Sequence, residues 1–224
     1  MRVNAFRGVS HVDVEAVLSQ FWTSHGRRVE WMPPEVDGDA FSLYQQRDGW
    51  TVMWWTQGWE WKLRRSAQLY VSQALGCAGI LVFVYDGDAW GYELFDQGAA
   101  VDWFYQNPQE GNGWFPGKDL SGRPEAVVAA FPELALDSSQ VAAYLVQDPY
   151  CALDDDVSDG SWRAYELWDV RARPGDRFRR GDQCAVLDFL DLLGIRIDVI
   201  EHRLVVPGSL WRSFRVEPPP AADA

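Results

Sequence analysis

Cysteine is scarce in this chain of 224 residues, and its scarcity excludes several kinds of site. The three cysteines, Cys77, Cys151 and Cys184, are scattered and odd in number. That usage argues against a disulfide framework and is typical of a reducing cytoplasm. No Cys-x-x-Cys or Cys-x-x-His pair occurs, so the spacings that usually bind zinc are missing. We therefore expect neither a bound metal nor another cofactor.

Long apolar runs are also missing. No stretch approaches the roughly 20 apolar residues that a membrane helix needs. The N-terminus, "MRVNAFRGVSHVDVEAV", lacks the uninterrupted apolar region of a secretory signal. The sequence therefore predicts a cytoplasmic protein with no membrane partner.

Basic residues are few: 20 Lys and Arg stand against 33 Asp and Glu, giving a net charge of −13. Such a field repels a phosphate backbone, so we expect no nucleic-acid partner. A basic protein would be attracted, chiefly through a faster association rate. The alternative is that the charge serves only solubility.

The common catalytic motifs are absent as well. The chain has no Gly-x-Ser-x-Gly, His-Glu-x-x-His, Walker or Gly-x-Gly-x-x-Gly motif, and its three histidines are isolated in sequence. A Cys/His pair assembled in space stays open. The sequence thus favours a protein without catalytic activity.

Aromatic residues, by contrast, are abundant, with 13 Trp, 11 Phe and 8 Tyr in a chain that is 47% hydrophobic. Hydrophobic periodicity predicts strand, helix, strand, strand, and then the same order again, over about residues 3–47 and 50–96. The predicted class is α+β, with an antiparallel sheet that carries its helices on one face, followed by a smaller helix-rich subdomain.

Local signals place several of these elements. Ser10 with Asp13 three residues later resembles a capping box, which predicts the start of the first helix. The apolar residues of that helix recur at helical spacing and predict one buried face, made of Val14, Val17, Leu18 and Phe21. Two β-rich runs joined through Asp48-Gly49 predict a hairpin. Asp137 with Gln140 predicts a second capping box at the start of a later helix.

The predicted domain organisation follows from changes in composition. Residues 1–106 form the sheet portion, with a possible structural duplication, and residues 107–124 are a Gly/Pro-rich connector. Residues 125–217 form the helix-rich portion, and the proline-rich residues 218–224 are a disordered tail.

The stretch "VYDGDAWGYELFDQGAAVDWF", residues 84–104, interleaves carboxylates with aromatic residues. Asp and Gly at 86–88 and 96–98 predict tight turns, because these residues tolerate the required backbone angles. Glu93 lies in the middle of a strand, where a carboxylate on an apolar face is costly unless it is paired or useful. Either this face is wet, or Glu93 faces a ligand cavity.

The stretch "WTVMWWTQGWEW", residues 50–61, holds five tryptophans. Core packing explains such a run, and so does an aromatic-walled pocket for an apolar or cationic ligand. For the pocket, the candidate ligand-binding residues are Trp54, Trp55, Trp59 and Glu93.

An acidic stretch lies between Arg123 and Arg163, where eight acids occur without any Lys or Arg. It is either a solvated loop or a surface that docks a cationic partner. The candidate partner-binding residues are Asp154, Asp155, Asp156 and Asp159. The arginine-rich run at 171–180 is expected to pair with carboxylates inside the chain.

Two motifs resemble those of a family of uncharacterised bacterial proteins. These are the Tyr-Asp-x-Asp-x-Trp-x-Tyr-x-Leu hairpin from Tyr85 to Leu94, and Asp188-Phe189 with Leu193-Gly194 in a late helix. The resemblance implies no known activity. More loosely, the duplicated strand-helix-strand-strand order is similar to that of gyrase-inhibitor-like domains, which bind hydrophobic or cationic ligands through aromatic residues and a Glu.

The leading hypothesis is a binding protein that docks a basic partner through its acidic face, as an immunity protein does. The alternative is a small-molecule binder with an aromatic pocket and a central Glu. A carboxylate-metal hydrolase is a third hypothesis.

Overall fold

The fold is known from a computed structural model, which describes residues 1–32, 40–45, 48–55, 61–85, 89–148, 169–200, 203–205 and 209–217. In chain order its elements are β1 (Arg2–Arg7), α1 (His11–Ser24), β2 (Arg28–Met32), β3 (Ala40–Gln45), β4 (Trp50–Trp55), α2 (Trp61–Leu75), β5 (Ala78–Tyr85), β6 (Ala89–Asp96), β7 (Ala99–Tyr105), α3 (Pro108–Trp114), α4 (Pro124–Ala130), a 3-10 helix (Pro132–Leu134), α5 (Ser138–Ala142), α6 (Ala185–Leu192), β8 (Asp198–Ile200), β9 (Arg203–Val205) and β10 (Ser209–Glu217). The order strand, helix, strand, strand occurs twice, and the predicted α+β class is confirmed.

Eight strands form one sheet in the order β2-β10-β3-β4-β1-β5-β6-β7, and β8 pairs with β9 separately. The hairpin predicted for β3 and β4 is present, with Phe41 opposite Trp55. Strand β10 lies in the range predicted to be helix-rich, yet it pairs antiparallel with both β2 and β3, so that Phe214 lies opposite Trp31 and Phe41. The range predicted as a connector contains α3, with Asn107 as its N-cap.

The chain divides into two compact units. The first unit comprises residues 2–81, 95–100 and 195–224, and the second comprises Met1 with residues 82–94 and 101–194.

Helix α1 packs in the first unit through the stripe that the sequence predicts. Its N-cap Ser10 accepts a hydrogen bond from the Asp13 backbone N–H, and Gly26 follows the helix at a φ of +69°. The Trp22 ring meets the Trp55 ring edge to face, at 6.3 Å between centroids. The buried residues of α1 are Val14, Val17, Leu18, Phe21 and Trp22.

Helix α2 buries polar residues beside apolar ones. Arg64, Gln68 and Ser72 are buried at successive four-residue intervals along it. The Ser72 hydroxyl donates to the Cys77 carbonyl at 2.6 Å and accepts the Gly98 N–H at 3.0 Å. These bonds fix the turn between β6 and β7, which was predicted at 96–98.

That turn needs a glycine. Gln97 and Gly98 both have positive φ, 46° and 84°, as a two-residue hairpin turn requires. A Cβ at Gly98 would lie 2.6 Å from the Cβ of Gln73, so a side chain cannot be accommodated there without movement. The turn therefore presses closely on α2.

The core of the second unit surrounds Phe189 of α6. Its ring stacks on Tyr92, at 5.7 Å and an interplanar angle of 11°, and lies 5.2 Å from Trp90 and 5.8 Å from Tyr144. All four side chains are buried. This aromatic cluster fixes α6 against the part of β6 that belongs to the same unit.

The arginine-rich run is tied to carboxylates within the second unit. Arg177 pairs with Asp188 at 3.0 Å and with Asp191 at 2.7 Å, and Arg179 pairs with Asp169. These contacts agree with the expected internal pairing.

Candidate functional site

Glu93 is the centre of the candidate site, and it is fully buried in β6 at 0% exposure. The wet-face alternative is therefore wrong. Aromatic side chains stand on the same face of the sheet. A Cβ placed at Gly91, two residues earlier on that face, would lie 2.7 Å from the Tyr105 ring and 2.8 Å from the Phe83 ring. A side chain at Gly91 would therefore collide with the rings of Tyr105 and Phe83.

Trp103 of β7 supplies a hydrogen bond to this buried carboxylate. Its indole Nε1–H donates to Glu93 Oε1 at 3.3 Å. Burial of a carboxylate is costly unless hydrogen bonds compensate for lost water, and an indole inside a protein also needs an acceptor. The hydrogen bond between Trp103 and Glu93 thus gives the indole N–H an acceptor and gives the carboxylate one of the donors that it needs.

A cation covers the ring of Trp103. The Lys118 ammonium lies 4.4 Å from the ring centroid, a typical cation–π distance. A turn places it there, because the Lys118 N–H donates to the Phe115 carbonyl at 3.1 Å around Pro116 and Gly117. Pro followed by a Gly with φ of +72° is the pattern of a type II turn.

Both ends of this turn are anchored. The Phe115 ring packs 6.0 Å from the Phe83 ring. At the other end the Leu120 carbonyl accepts the Tyr105 backbone N–H at 3.0 Å and the Gln147 side-chain amide at 2.9 Å. The backbone that carries Lys118 is therefore held in place, while Lys118 itself is exposed.

Asp102, the residue next to Trp103, is a structural carboxylate. It accepts hydrogen bonds from the Tyr92 hydroxyl at 2.7 Å, the Arg123 backbone N–H at 2.8 Å and the Arg123 Nε at 3.1 Å. Burial, with a smaller effect of the Asp102 charge, raises the pKa of Tyr92 well above its ordinary value. The phenol therefore stays protonated and donates to Asp102. These contacts occupy Asp102 with fixed donors, as expected of a structural group rather than a general base.

The described thiols are poor nucleophiles at neutral pH. Burial, reinforced by the Asp96 charge, raises the pKa of Cys77 to about 11. Burial also raises the pKa of Cys184, and Asp182 adds to that effect. Because the thiolate is the reactive form, these environments suppress covalent chemistry.

A metal centre has no support in the parts of the chain that the structure describes. Across those ranges, no three His, Cys, Asp or Glu side chains come together in a way that could hold a metal ion. The described groups around Glu93 are a hydrogen-bond donor, an ammonium and aromatic rings, and such groups can hold a ligand by hydrogen bonding, charge and ring contacts.

Of the residues predicted for an aromatic pocket, Trp54 and Trp55 point to opposite faces of β4. Trp55 is 4% exposed and packs between Trp22 and Phe41, with the Arg64 guanidinium 5.3 Å from its ring centroid. Trp54 is half-buried on the opposite face of β4. Both lie in the first unit, whereas Glu93 lies in the second.

The remaining predicted site residues lie outside the described residues. These are Trp59 and the partner-binding candidates Asp154, Asp155, Asp156 and Asp159. The turn predicted at 86–88 also falls outside them.

Sequence reasoning did not assign Trp103 and Lys118 to the site. A signal for the turn was present, because Pro116-Gly117 is a strong type II turn signature. The contact of Glu93 with Trp103 depends instead on the register of β6 against β7.

Comparison with known proteins gives no relative from which to transfer a function. No protein-family model, no curated protein and no solved structure matches the chain. Within the described ranges, no helix combines the length and apolar character needed to cross a membrane.

Proposed function

We propose that this protein is a non-catalytic binding protein that docks a basic protein partner through an acidic surface. One observation carries the proposal: residues 124–148 expose carboxylates and contain no Lys or Arg, in a chain whose net charge is −13. We define the acidic surface as the exposed residues Glu125, Glu133 and Asp137. Charge of one sign on one surface accelerates the association of an oppositely charged partner.

The acidic surface lies on elements that are packed and capped. Helices α4 and α5 contact each other, and they bury Val127 and Val141. Asp137 caps α5 by accepting the Ser139 N–H at 2.7 Å, within a capping box completed by Gln140. Hydrogen bonds from Ser139 lower the pKa of Asp137. Its charge therefore persists below the pH at which an ordinary aspartate begins to protonate.

Salt dependence of association tests this proposal. A partner captured on the 224-residue chain should associate at least about tenfold faster at low than at high ionic strength, because salt screens exposed charges. Stopped-flow or surface-based kinetics would measure the association rate. An association rate that does not change with salt would contradict the proposal.

A matched pair of triple variants separates the acidic surface from net charge. The first variant carries Glu125→Gln, Glu133→Gln and Asp137→Asn, of which the last retains an N-capping side chain. The control neutralises three exposed acids of the first unit, Asp13, Glu30 and Asp48, and so has the same net charge. The first variant should lose most of the rate enhancement and the control little of it. Equal losses would show that the surface has no special role.

A second candidate function is small-molecule binding at Glu93. The observation that favours it is a fully buried carboxylate that accepts the indole N–H of Trp103 on an aromatic face. Buried charges with aromatic neighbours are typical of ligand sites. Titration of tryptophan fluorescence with a broad panel of hydrophobic cations should give a saturable change that Glu93→Gln weakens. A flat response across the panel would count against this function.

A further inference from the structure

We propose that the face of the Trp103 indole covered by Lys118 is a binding site for a small organic ammonium ion. In the protein without ligand, the Lys118 side chain occupies that site. This inference rests on the second candidate function, and it names the chemical class of the ligand and two residues beyond Glu93. The site lies entirely within the second unit.

The charges around Trp103 favour a cation on its ring. The indole N–H donates to the Glu93 carboxylate at 3.3 Å, and the Lys118 ammonium lies 4.4 Å from the ring centroid. Hydrogen bonding to a carboxylate oxygen polarises the indole and makes the ring face more negative. A cation on that face is thus attracted both by the ring and, through it, by the buried carboxylate.

The contacts of Lys118 allow a ligand cation to replace its ammonium on the Trp103 ring. Among the described residues, its ammonium makes no ion pair with a carboxylate, so its partner there is the ring of Trp103. The anchored turn fixes its backbone, but the four-carbon side chain is exposed and can swing away without disturbing Phe115 or Leu120. A competing ligand therefore has to displace only one flexible side chain.

The ligand class follows from hydration. A primary ammonium is compact and strongly hydrated, so the free energy needed to remove its water offsets part of its attraction to an aromatic face. A methylated ammonium spreads its charge over apolar methyl groups and is the cation that aromatic faces recognise best. Such an ion would displace Lys118 from Trp103, and the ammonium released from the ring would regain its water.

Tetramethylammonium binding, followed by two-dimensional nitrogen–proton NMR of the Trp103 indole N–H, tests the proposal. In Lys118→Ala the indole resonance should shift saturably, with an affinity about 2- to 30-fold tighter than in the unsubstituted protein. Lys118→Arg keeps a cation at the site and should behave like the unsubstituted protein. Glu93→Gln in the Lys118→Ala background should weaken binding severalfold.

Neutral tert-butanol, which has a similar size, is the matched control ligand. It should leave the Trp103 resonance unshifted in Lys118→Ala. An equal response of the Trp103 resonance to tert-butanol and to tetramethylammonium would overturn the site. The site would also be overturned if Lys118→Ala bound tetramethylammonium no more tightly than the unsubstituted protein, or if Lys118→Ala showed no saturable shift. Because Lys118 is exposed on an anchored turn, the alanine variant tests binding without a change in the core.

The two proposals can fail separately. A fluorescence response to hydrophobic cations that Glu93→Gln weakens, but that persists unchanged in Trp103→Phe and Lys118→Ala, would place the ligand near Glu93 and away from the Trp103 ring face. That result overturns this site and leaves the second candidate function standing. If neither the fluorescence titration nor the NMR titration shows a saturable response, both this site and the second candidate function are contradicted.

Discussion

Replacement of Asp102 with alanine should lower the free energy of unfolding by about 2–4 kcal/mol. Asp102 is 3% exposed, and it accepts hydrogen bonds from the fully buried Tyr92 hydroxyl and from the backbone and side chain of Arg123. Its loss leaves the buried Tyr92 hydroxyl without its acceptor, at a cost of about 1–3 kcal/mol, and removes the hydrogen bond of the part-buried Arg123 backbone N–H, which contributes about 1 kcal/mol. Chemical denaturation followed by circular dichroism would measure the change.

The other partner of the same ion pair provides the control. The Arg123 side chain is 61% exposed, so Arg123→Ala should cost about 1 kcal/mol or less, because solvent screens the pair at that end. Equal losses for Asp102→Ala and Arg123→Ala would mean that the ion pair itself, and not the buried hydrogen bonds, stabilises this part of the fold.

Replacement of Phe189 with alanine should lower the free energy of unfolding by about 3–5 kcal/mol, in the range typical of large-to-small changes in a core. Its ring is fully buried and contacts Trp90, Tyr92 and Tyr144. The change removes both apolar burial and aromatic contacts, and it leaves a cavity that the three large rings cannot easily fill. Denaturant titration of the variant against the unsubstituted protein would give the difference.

Phe178→Ala is the matched control for this second prediction. Phe178 is only half-buried, and the Arg177 guanidinium lies 5.5 Å from its ring centroid. The same chemical change there should cost less than half as much, because less apolar area leaves water. A Phe189→Ala variant as stable as Phe178→Ala would show that the aromatic cluster does not hold α6 in place.

Local signals in the sequence predicted local structure well. Ser10 and Asp13 indicated where α1 begins, and Asp137 with Gln140 indicated the capping box of α5. The spacing of apolar residues in α1 predicted its buried face. These features depend on interactions within four residues, so the sequence contains nearly all the information that determines them.

Long-range pairing could not be read in the same way. Strand β10 enters the sheet between β2 and β3, although no local pattern specifies which strands will accept it. The nine-residue strand Ser209–Glu217 therefore falls in the range that the sequence predicts to be helix-rich. Sheet order depends on complementary faces far apart in the chain, which periodicity within one segment cannot reveal.

The candidate site shows the same limit at the scale of one residue. A two-residue turn at Gln97 and Gly98 without any irregularity would set Glu93 opposite Asp102. The observed hydrogen bonds instead join Glu93 to Trp103 and Tyr92 to Asp102. A shift of one residue moves each side chain to the other face of a sheet, so the partner of Glu93 could not be identified without the register.

The placement of β10 has a consequence for biosynthesis. On the ribosome, β2 and β3 emerge long before the strand that pairs with both of them. Until β10 arrives, each has an edge of unpaired backbone groups that could pair with another nascent chain. Completion of the sheet is therefore a late event that joins strands far apart in the chain, and chaperones that shield exposed strand edges should raise the yield of native protein.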